Sequence, residues 1–485
     1  MAEASEIDAN VDGRQRVAII GTGLAGLTTA HLLHSDVQRR YRVTLAAPDA
    51  DPVVPQADSL SLDAASVTVR HGESGAVERV DMPMRACAGG YYENLLRMCR
   101  HLGISLHPVR FLFVFAAMLP TNPSWWREST RPDDVGSAPG SYFVHASNLH
   151  RALPPRPAGR AFWLYWIELL YLVVCHAWFV TMCFLVPPET ETLGEYLERT
   201  WLPRRFVSHY LLPLMSSVST CSHAEMLAFP ASDVVNYKRL SHGQQHYTVS
   251  GGIGSVQSRL VEGIQDIRLG LRVTSVETSS RGGLLVHWHS VGQGPPSASD
   301  EFFDRVVLAV SPDVAASIFR PLAASLEKVP TRRVESSVLG LRFSVDDAQG
   351  LTTTTSSHHL DEAQPAQVVT LRTRFAEPTS TTTQALHAMP SGVFVLTSPF
   401  EPALDSDFAV LRKASFTRTL RTPESRAIVR SIMGSGRAPW MNGEDNVWLA
   451  GSWCWDGMVL LEGCVVSAMR VARDFGVRVS WDGCA

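Results

Sequence analysis

The sequence predicts an α/β protein in which a Rossmann-type dinucleotide-binding domain is interleaved with a mixed α+β domain for a substrate. Three observations carry this. The apolar run Val17 to Ile20 meets Gly21-Thr22-Gly23-Leu24-Ala25-Gly26 and then an Ala/Leu/Thr segment suited to a helix, the strand, tight turn and helix order that a dinucleotide site needs. A second strand, Gly-Ser turn and helix with small residues on one side runs from Asn446 to Ala472, near the other end of the chain. At 485 residues the chain is too long for one simple core, so separated segments are expected to share one domain.

In the first motif Gly21 permits the turn, Gly23 lets the backbone approach a pyrophosphate, and Gly26 allows close packing of helix on strand. Leu24 and Ala25 open the helix, whose positive end faces the phosphates. The next strand is Tyr41 to Leu45, YRVTL, but Ala46 and Ala47 stand where an acid would hold the adenosine ribose. Asp49 or Asp51 is then the residue to reach the ribose, or the site does without a carboxylate.

The composition is that of a globular protein, 45% hydrophobic and 19% charged, with a formal net charge of −4 and no Lys/Arg run. Nucleic acid is not an expected partner. The eight cysteines form no CxxC pair and no metal-like cluster with histidine, so reduced thiols and no metal are expected. His358-His359, in a Thr/Ser-rich stretch, reads as a solvated loop. The N-terminal MAEASEIDANVDGRQR is polar and acidic, which points away from a secretory or mitochondrial leader and towards a cytoplasmic protein, with a peripheral place on an intracellular membrane left open.

The C-terminal stretch NVWLAGSWCWDGMVLLEGCVVSAMRVA resembles the FAD-binding segment of the flavin-containing amine oxidase superfamily. The resemblance implies FAD as cofactor, with Gly451 and Ser452 near the ribityl phosphate and the backbone of Met458 and Val459 at the flavin pyrimidine edge. The family more often has an acid where Ser452 stands. Asp81 to Ile104 and Leu240 to Leu260 resemble a branch of FAD/NAD(P)-binding oxidoreductases common in fungi and bacteria. Ile267 to Glu277, Gly283 to Trp288 and Phe303 to Pro312 resemble the superfamily's hairpin and return strand, which would set Val273 against the adenine. The Gly-Gly-Arg or Gly-Gly-His turn of the family has no counterpart in PDADPVVPQADSLSLDAASVTV. Either FAD is held with fewer contacts or this copy has lost affinity.

On this resemblance the FAD domain is assembled from residues 16–110, 245–320 and 435–478. A helical substrate segment fills 111–244, with an apolar insertion at 161–186, and substrate-domain strands and loops fill 321–434. Within the helical segment, the spacing of Leu193, Tyr196, Leu197 and Trp201 suits an amphipathic helix.

The insertion AFWLYWIELLYLVVCHAWFVTMCFLV, Ala161 to Val186, would be about 39 Å long as a helix, enough to cross a bilayer. A single crossing would put the two halves of one FAD site on opposite sides. Two readings remain: a helix or helical pair roofing the substrate cavity, or a monotopic anchor that admits an apolar substrate from lipid. Glu168 and His176, eight apart, share a helix face and read as a satisfied polar pair.

Trp453 and Trp455, just before the flavin contact, either line the flavin face or pack the core. His246 and Tyr247 are the acid/base candidates, with support of the neighbouring Gly251-Gly252 turn as the alternative role. Lys238 is the lysine nearest in sequence to them, and Cys454 and Cys464 are available for covalent flavin. The resemblance and the apolar insertion together imply an FAD-dependent oxidoreductase that oxidises, desaturates or isomerises an apolar small molecule, a lipid or secondary-metabolite intermediate, by hydride transfer to flavin N5. The rivals are an amine or amino-acid oxidase with a polar substrate, and a membrane-associated binding protein with a degraded cofactor site.

Overall fold

The strand Gln15–Ile20 lies third in a five-stranded, all-parallel sheet, and Val17, Ala18 and Ile19 are wholly buried, as expected of strands covered on both faces. The computed structural model describes residues 13–47, 60–70, 77–118, 140–146, 156–157, 159–280, 282–290, 297–341, 367–377, 380–401, 408–435 and 438–482. Asp49, Asp51, His358 and His359 lie outside the described residues. The sheet order is Asp266–Leu269, Tyr41–Ala47, Gln15–Ile20, Arg305–Leu308, Val447–Leu449. Ile20 is in register with Leu308, and Leu308 with Leu449. The turns that leave these three strands therefore gather at one carboxyl edge of the sheet, where open α/β sheets hold ligands.

Helix Leu24–His34 packs between this sheet and the C-terminal helix Leu461–Asp474, and helix Glu93–His101 lies against the latter. An antiparallel meander, Leu271–Thr278, Leu284–Ser290 and Ala298–Phe303, carries Val273 opposite Trp288. The second large layer is a seven-stranded mixed sheet running from Phe408–Thr419 at one edge to Ser141–Ala146 at the other. A small sheet places His246–Val249 between Cys87–Ala88 and Leu106–Val109.

Two expectations are corrected. Leu193, Tyr196 and Leu197 form the buried face of helix Leu193–Arg199, entered through a Thr192/Glu195 capping box, but Trp201 lies beyond the helix end with φ 59° and is 86% exposed. Glu168 does not pair with His176. Its buried carboxylate accepts two bonds from Arg205 Nη2, at 2.9 and 2.8 Å, and one from the Tyr210 hydroxyl, whereas His176 is exposed.

The mixed sheet also buries two histidines, His223 and His387. Each Nε2 meets a neutral partner, Thr383 Oγ1 at 2.8 Å and Gln367 Oε1 at 3.0 Å, and burial pushes both rings down from 6.5 to about 4. The folded protein thus resists protons that the unfolded chain takes up as pH falls through about 6.5. Their stabilising contribution is complete above that pH and is lost between about 6.5 and 4, by roughly 3 kcal/mol per histidine at the acid end. Unfolding midpoints measured from pH 7 to 4.5 should fall steeply, and less steeply in His387→Gln; an unchanged slope in that variant would refute the assignment.

Candidate cofactor and active site

At the first turn Gly21 takes φ +109° and its N–H donates to Ala46 O at 2.8 Å. A Cβ there would lie 2.4 Å from Ala309 O, and one on Gly26 would lie 1.9 Å from Gly21 O, so these two positions are closed to any side chain. Gly23 differs: nothing stands within 4 Å of a Cβ added there. It is the N-cap of helix Leu24–His34, which has no capping side chain and no acid in its first turn. The first amides, Leu24 and Ala25 among them, are thus left for an external anion. Thr22 and Ser61 exchange hydrogen bonds at 3.1 and 3.0 Å, tying the loop at 60–66 to the turn. Ala46 and Ala47 are buried.

The C-terminal half of the site meets this turn directly. Ala450 N donates to Leu308 O, and Gly451 exchanges bonds with Ser467 Oγ at 2.9 and 3.1 Å. Ser452 is close to the Cys464 thiol, which also neighbours the Ala25 backbone. Burial pushes Cys464 up to about 11 and holds Cys454 well above its ordinary value, so both stay protonated thiols near neutral pH. Met458 is buried and Val459 half-buried.

Arg421 shapes the loop between them. Its guanidinium donates to Trp455 O and Gly457 O, at 2.8 and 2.7 Å, and to Trp453 O at 2.7 Å. Buried Asp233 backs it at 3.8 Å and pairs with Arg426 at 3.1 Å. Glu462 joins the two halves of the cradle: its carboxylate accepts from Asn94 N, Asn94 Nδ2 and Leu95 N at 3.0, 2.7 and 3.0 Å, capping helix Glu93–His101 from the first turn of helix Leu461–Asp474. No local pattern marks either residue in the sequence, because both act on segments far away in the chain.

The other candidates are scattered more widely. Trp453 is buried with Nε1 on Val310 O at 3.0 Å, and Trp455 bonds Met458 O at 2.9 Å while its ring meets Tyr91 edge-on at 5.8 Å. Both rings are thus fixed in the packing of the loop. Val273 is buried in the meander. His246 and Tyr247 are neighbours on one strand, so their side chains leave on opposite faces: Tyr247 lines a cavity with Leu24, Asp81 and Arg85, whereas His246 meets Phe111 at 5.8 Å. A relay using both on one substrate is not built here. Burial pushes His246 down, leaving it neutral at pH 7. Lys238 is half-buried beside Cys183 and His176 of the apolar helix.

These residues fit a dinucleotide at the strand ends, and the comparisons say which. A sequence model of the flavin containing amine oxidoreductase family matches residues 205–386, and one of the NAD(P)-binding Rossmann-like domain matches residues 19–102. The chain belongs to the flavin-containing amine oxidase superfamily. Its fold is that of cyclohexylamine oxidase from Brevibacterium oxydans (13% identity, 96% of this chain and 100% of that one, TM-score 0.52). The same holds for a CLA-producing fatty acid isomerase from P. acnes (11%, 96% and 100%, 0.56) and an oxidoreductase from Methanosarcina mazei (11%, 94% and 100%, 0.53). No curated protein sequence matches the chain. The protein is an FAD-dependent oxidoreductase of this superfamily, and Gly23, the first amides of helix Leu24–His34 and the Gly451–Val459 loop are the residues that would hold the FAD.

Proposed function

We propose that this oxidoreductase oxidises, desaturates or isomerises an apolar small molecule, and that it works on the surface of an intracellular membrane. One observation carries the reading: the outward face of helix Phe162–Leu185. The helix buries a seam of Tyr165, Glu168, Leu172, Cys175, Phe179 and Cys183, steps of three and four that hold it against the protein along its whole length. Apart from exposed His176 and Thr181, the remaining surface is apolar as well. Trp163, Ile167, Leu170 and Val174 are 59–66% exposed, where a helix facing water would carry charges. Trp178 Nε1 donates to Thr200 O at 2.8 Å, which brings exposed Trp201 alongside. The helix is the one among the described residues long and apolar enough to cross a membrane, but its continuous buried seam suits lying on a bilayer better than spanning it.

When bound, FAD accepts a hydride at its N5. The protein's part is to position the substrate, exclude water and move a proton, and neutral His246, on the strand face towards Phe111, suits the last task. Trp453 and Trp455 stiffen the loop under the flavin edge. The domain division at 16–110, 245–320 and 435–478 is proposed on the same grounds as the site.

A variant with Trp163, Ile167, Leu170 and Val174 all changed to serine leaves the buried seam untouched. The parent should float with phospholipid vesicles while this variant stays in the aqueous fraction with its FAD bound; equal flotation, or none by the parent, would exclude the membrane reading. Anaerobic bleaching of the flavin by apolar molecules carried in vesicles supports the substrate class, whereas bleaching by simple amines alone would favour the amine-oxidase alternative.

A further inference from the structure

Helix Ala231–Ser241 packs against the end of the apolar helix Phe162–Leu185. Arg239 Nη2 donates to Phe184 O at 3.3 Å, and the His242 ring meets Phe184 edge-on at 6.0 Å. Lys238 stands one turn before His242 and so lies over the same end, beside Cys183 and beside His176, which is seven residues earlier on the same face of the apolar helix. Among the described residues the half-buried Lys238 ammonium makes no hydrogen bond and no ion pair. Two carboxylates of neighbouring segments are engaged elsewhere, Asp233 with Arg426 at 3.1 Å and Glu191 with Arg199 at 2.5 Å. Burial pushes the ammonium down, as expected of a cation drawn out of water without a counterion.

A row of rings leads inward from this point. His176 lies 6.3 Å from His145, His145 stacks on Phe113 at 6.4 Å, Phe113 lies 5.8 Å from Phe111, and Phe111 meets His246 at 5.8 Å. Phe111 and Phe113, two apart on strand Phe111–Ala117, share one face. Phe113, His145 and His246 are only half-buried, so the row keeps an open side along which an apolar chain can lie. We propose that Lys238 binds the acidic head of a substrate whose apolar tail follows this row towards His246, which makes the substrate class a long-chain carboxylate. The proposal deepens the apolar-substrate reading above and rests on it. A neutral head would leave the ammonium unpaired. A bilayer headgroup is the poorer match, because such heads stay at the interface and meet cations that reach out on long stems, whereas Lys238 is recessed behind the apolar helix. His176 and His242 stand where their ring N–H groups add donors to the same carboxylate.

Isothermal titration of the FAD-loaded protein with decanoate, 1-decanol and acetate, without vesicles, tests this. Decanoate should bind the parent about tenfold or more tightly than 1-decanol, and acetate, which has the head but no tail, should give no binding heat at the same concentrations. Lys238→Gln should weaken decanoate by about tenfold or more and leave 1-decanol within about twofold, with Lys238→Arg between parent and glutamine. The glutamine variant should melt at or above the parent temperature, because an unpaired charge is removed. The proposal is overturned if decanoate binds the parent no better than 1-decanol, an arm that needs no variant, or if Lys238→Gln weakens both alike. It is overturned too if Lys238→Gln keeps its decanoate affinity and loses only flotation with phosphatidylserine vesicles, which would make the lysine a contact to bilayer headgroups. A parent that does not float fails the membrane reading alone, since decanoate binding is measured in the absence of lipid.

Discussion

Arg421→Gln should destabilise the protein by about 3–5 kcal/mol and release its FAD. Arg421 is 2% exposed. It is the shared donor for the carbonyls of Trp453, Trp455 and Gly457, so its loss leaves three buried acceptors to a side chain that cannot reach them all. Asp233, at 0% side-chain exposure, keeps only Arg426 as a close cation. The damage is directed at the cofactor, because the freed loop runs straight into Met458 and Val459. Arg421→Lys keeps the charge but replaces a planar fork by a point donor, and should recover about half of the lost stability. Urea unfolding and flavin retention on gel filtration read both effects; a glutamine variant within about 1 kcal/mol of the parent would mean that the loop is held by other contacts.

Gly26→Ala should be comparably severe, and its contrast with Gly23→Ala locates the cofactor. The added methyl at Gly26 falls on Gly21 O, with Ala309 Cβ at 3.2 Å behind it, so helix and strand must separate, at a cost of about 1–3 kcal/mol or more, and the turn loses its shape. FAD binding should fall below detection. At Gly23, where φ is −73° and the added Cβ meets no protein atom, the apoprotein should keep its stability within about 0.5 kcal/mol while FAD affinity drops at least tenfold. Gly194→Ala, with neighbours at ordinary contact distances of 3.5 Å and beyond, serves as the harmless control. Thermal melting of the apoproteins combined with FAD titration separates the three; Gly23→Ala with unchanged FAD affinity would move the diphosphate away from this turn.

What was legible in the sequence was local. GTGLAG and the Asn446–Ala472 stretch announce themselves because glycine spacing and a strand-to-helix change lie within a few residues, and the apolar helix, expected at 161–186, runs from Phe162 to Leu185. Its seam was hidden, since a helix apolar all round has no contrasting face, and the partners of Glu168 come from Arg205 and Tyr210, decades of residues away. The opposed faces of His246 and Tyr247 follow from strand alternation alone, once those residues are known to lie on a strand. Trp201 fits the helical period but lies past a helix that closes at Arg199. Arg421 and Glu462 carry no motif: a single charged residue among ordinary neighbours becomes significant only when distant backbone is brought to it.

The central claim is that the carboxyl edge of the parallel sheet holds FAD. The visible absorption spectrum of the purified protein tests it most directly, taken as isolated, after addition of FAD, and after denaturation to identify the released flavin. Flavin bands that deepen or sharpen with FAD, and a released chromophore that is FAD, are the expected result. A protein with no flavin absorbance as isolated, and none retained after incubation with FAD, would contradict it.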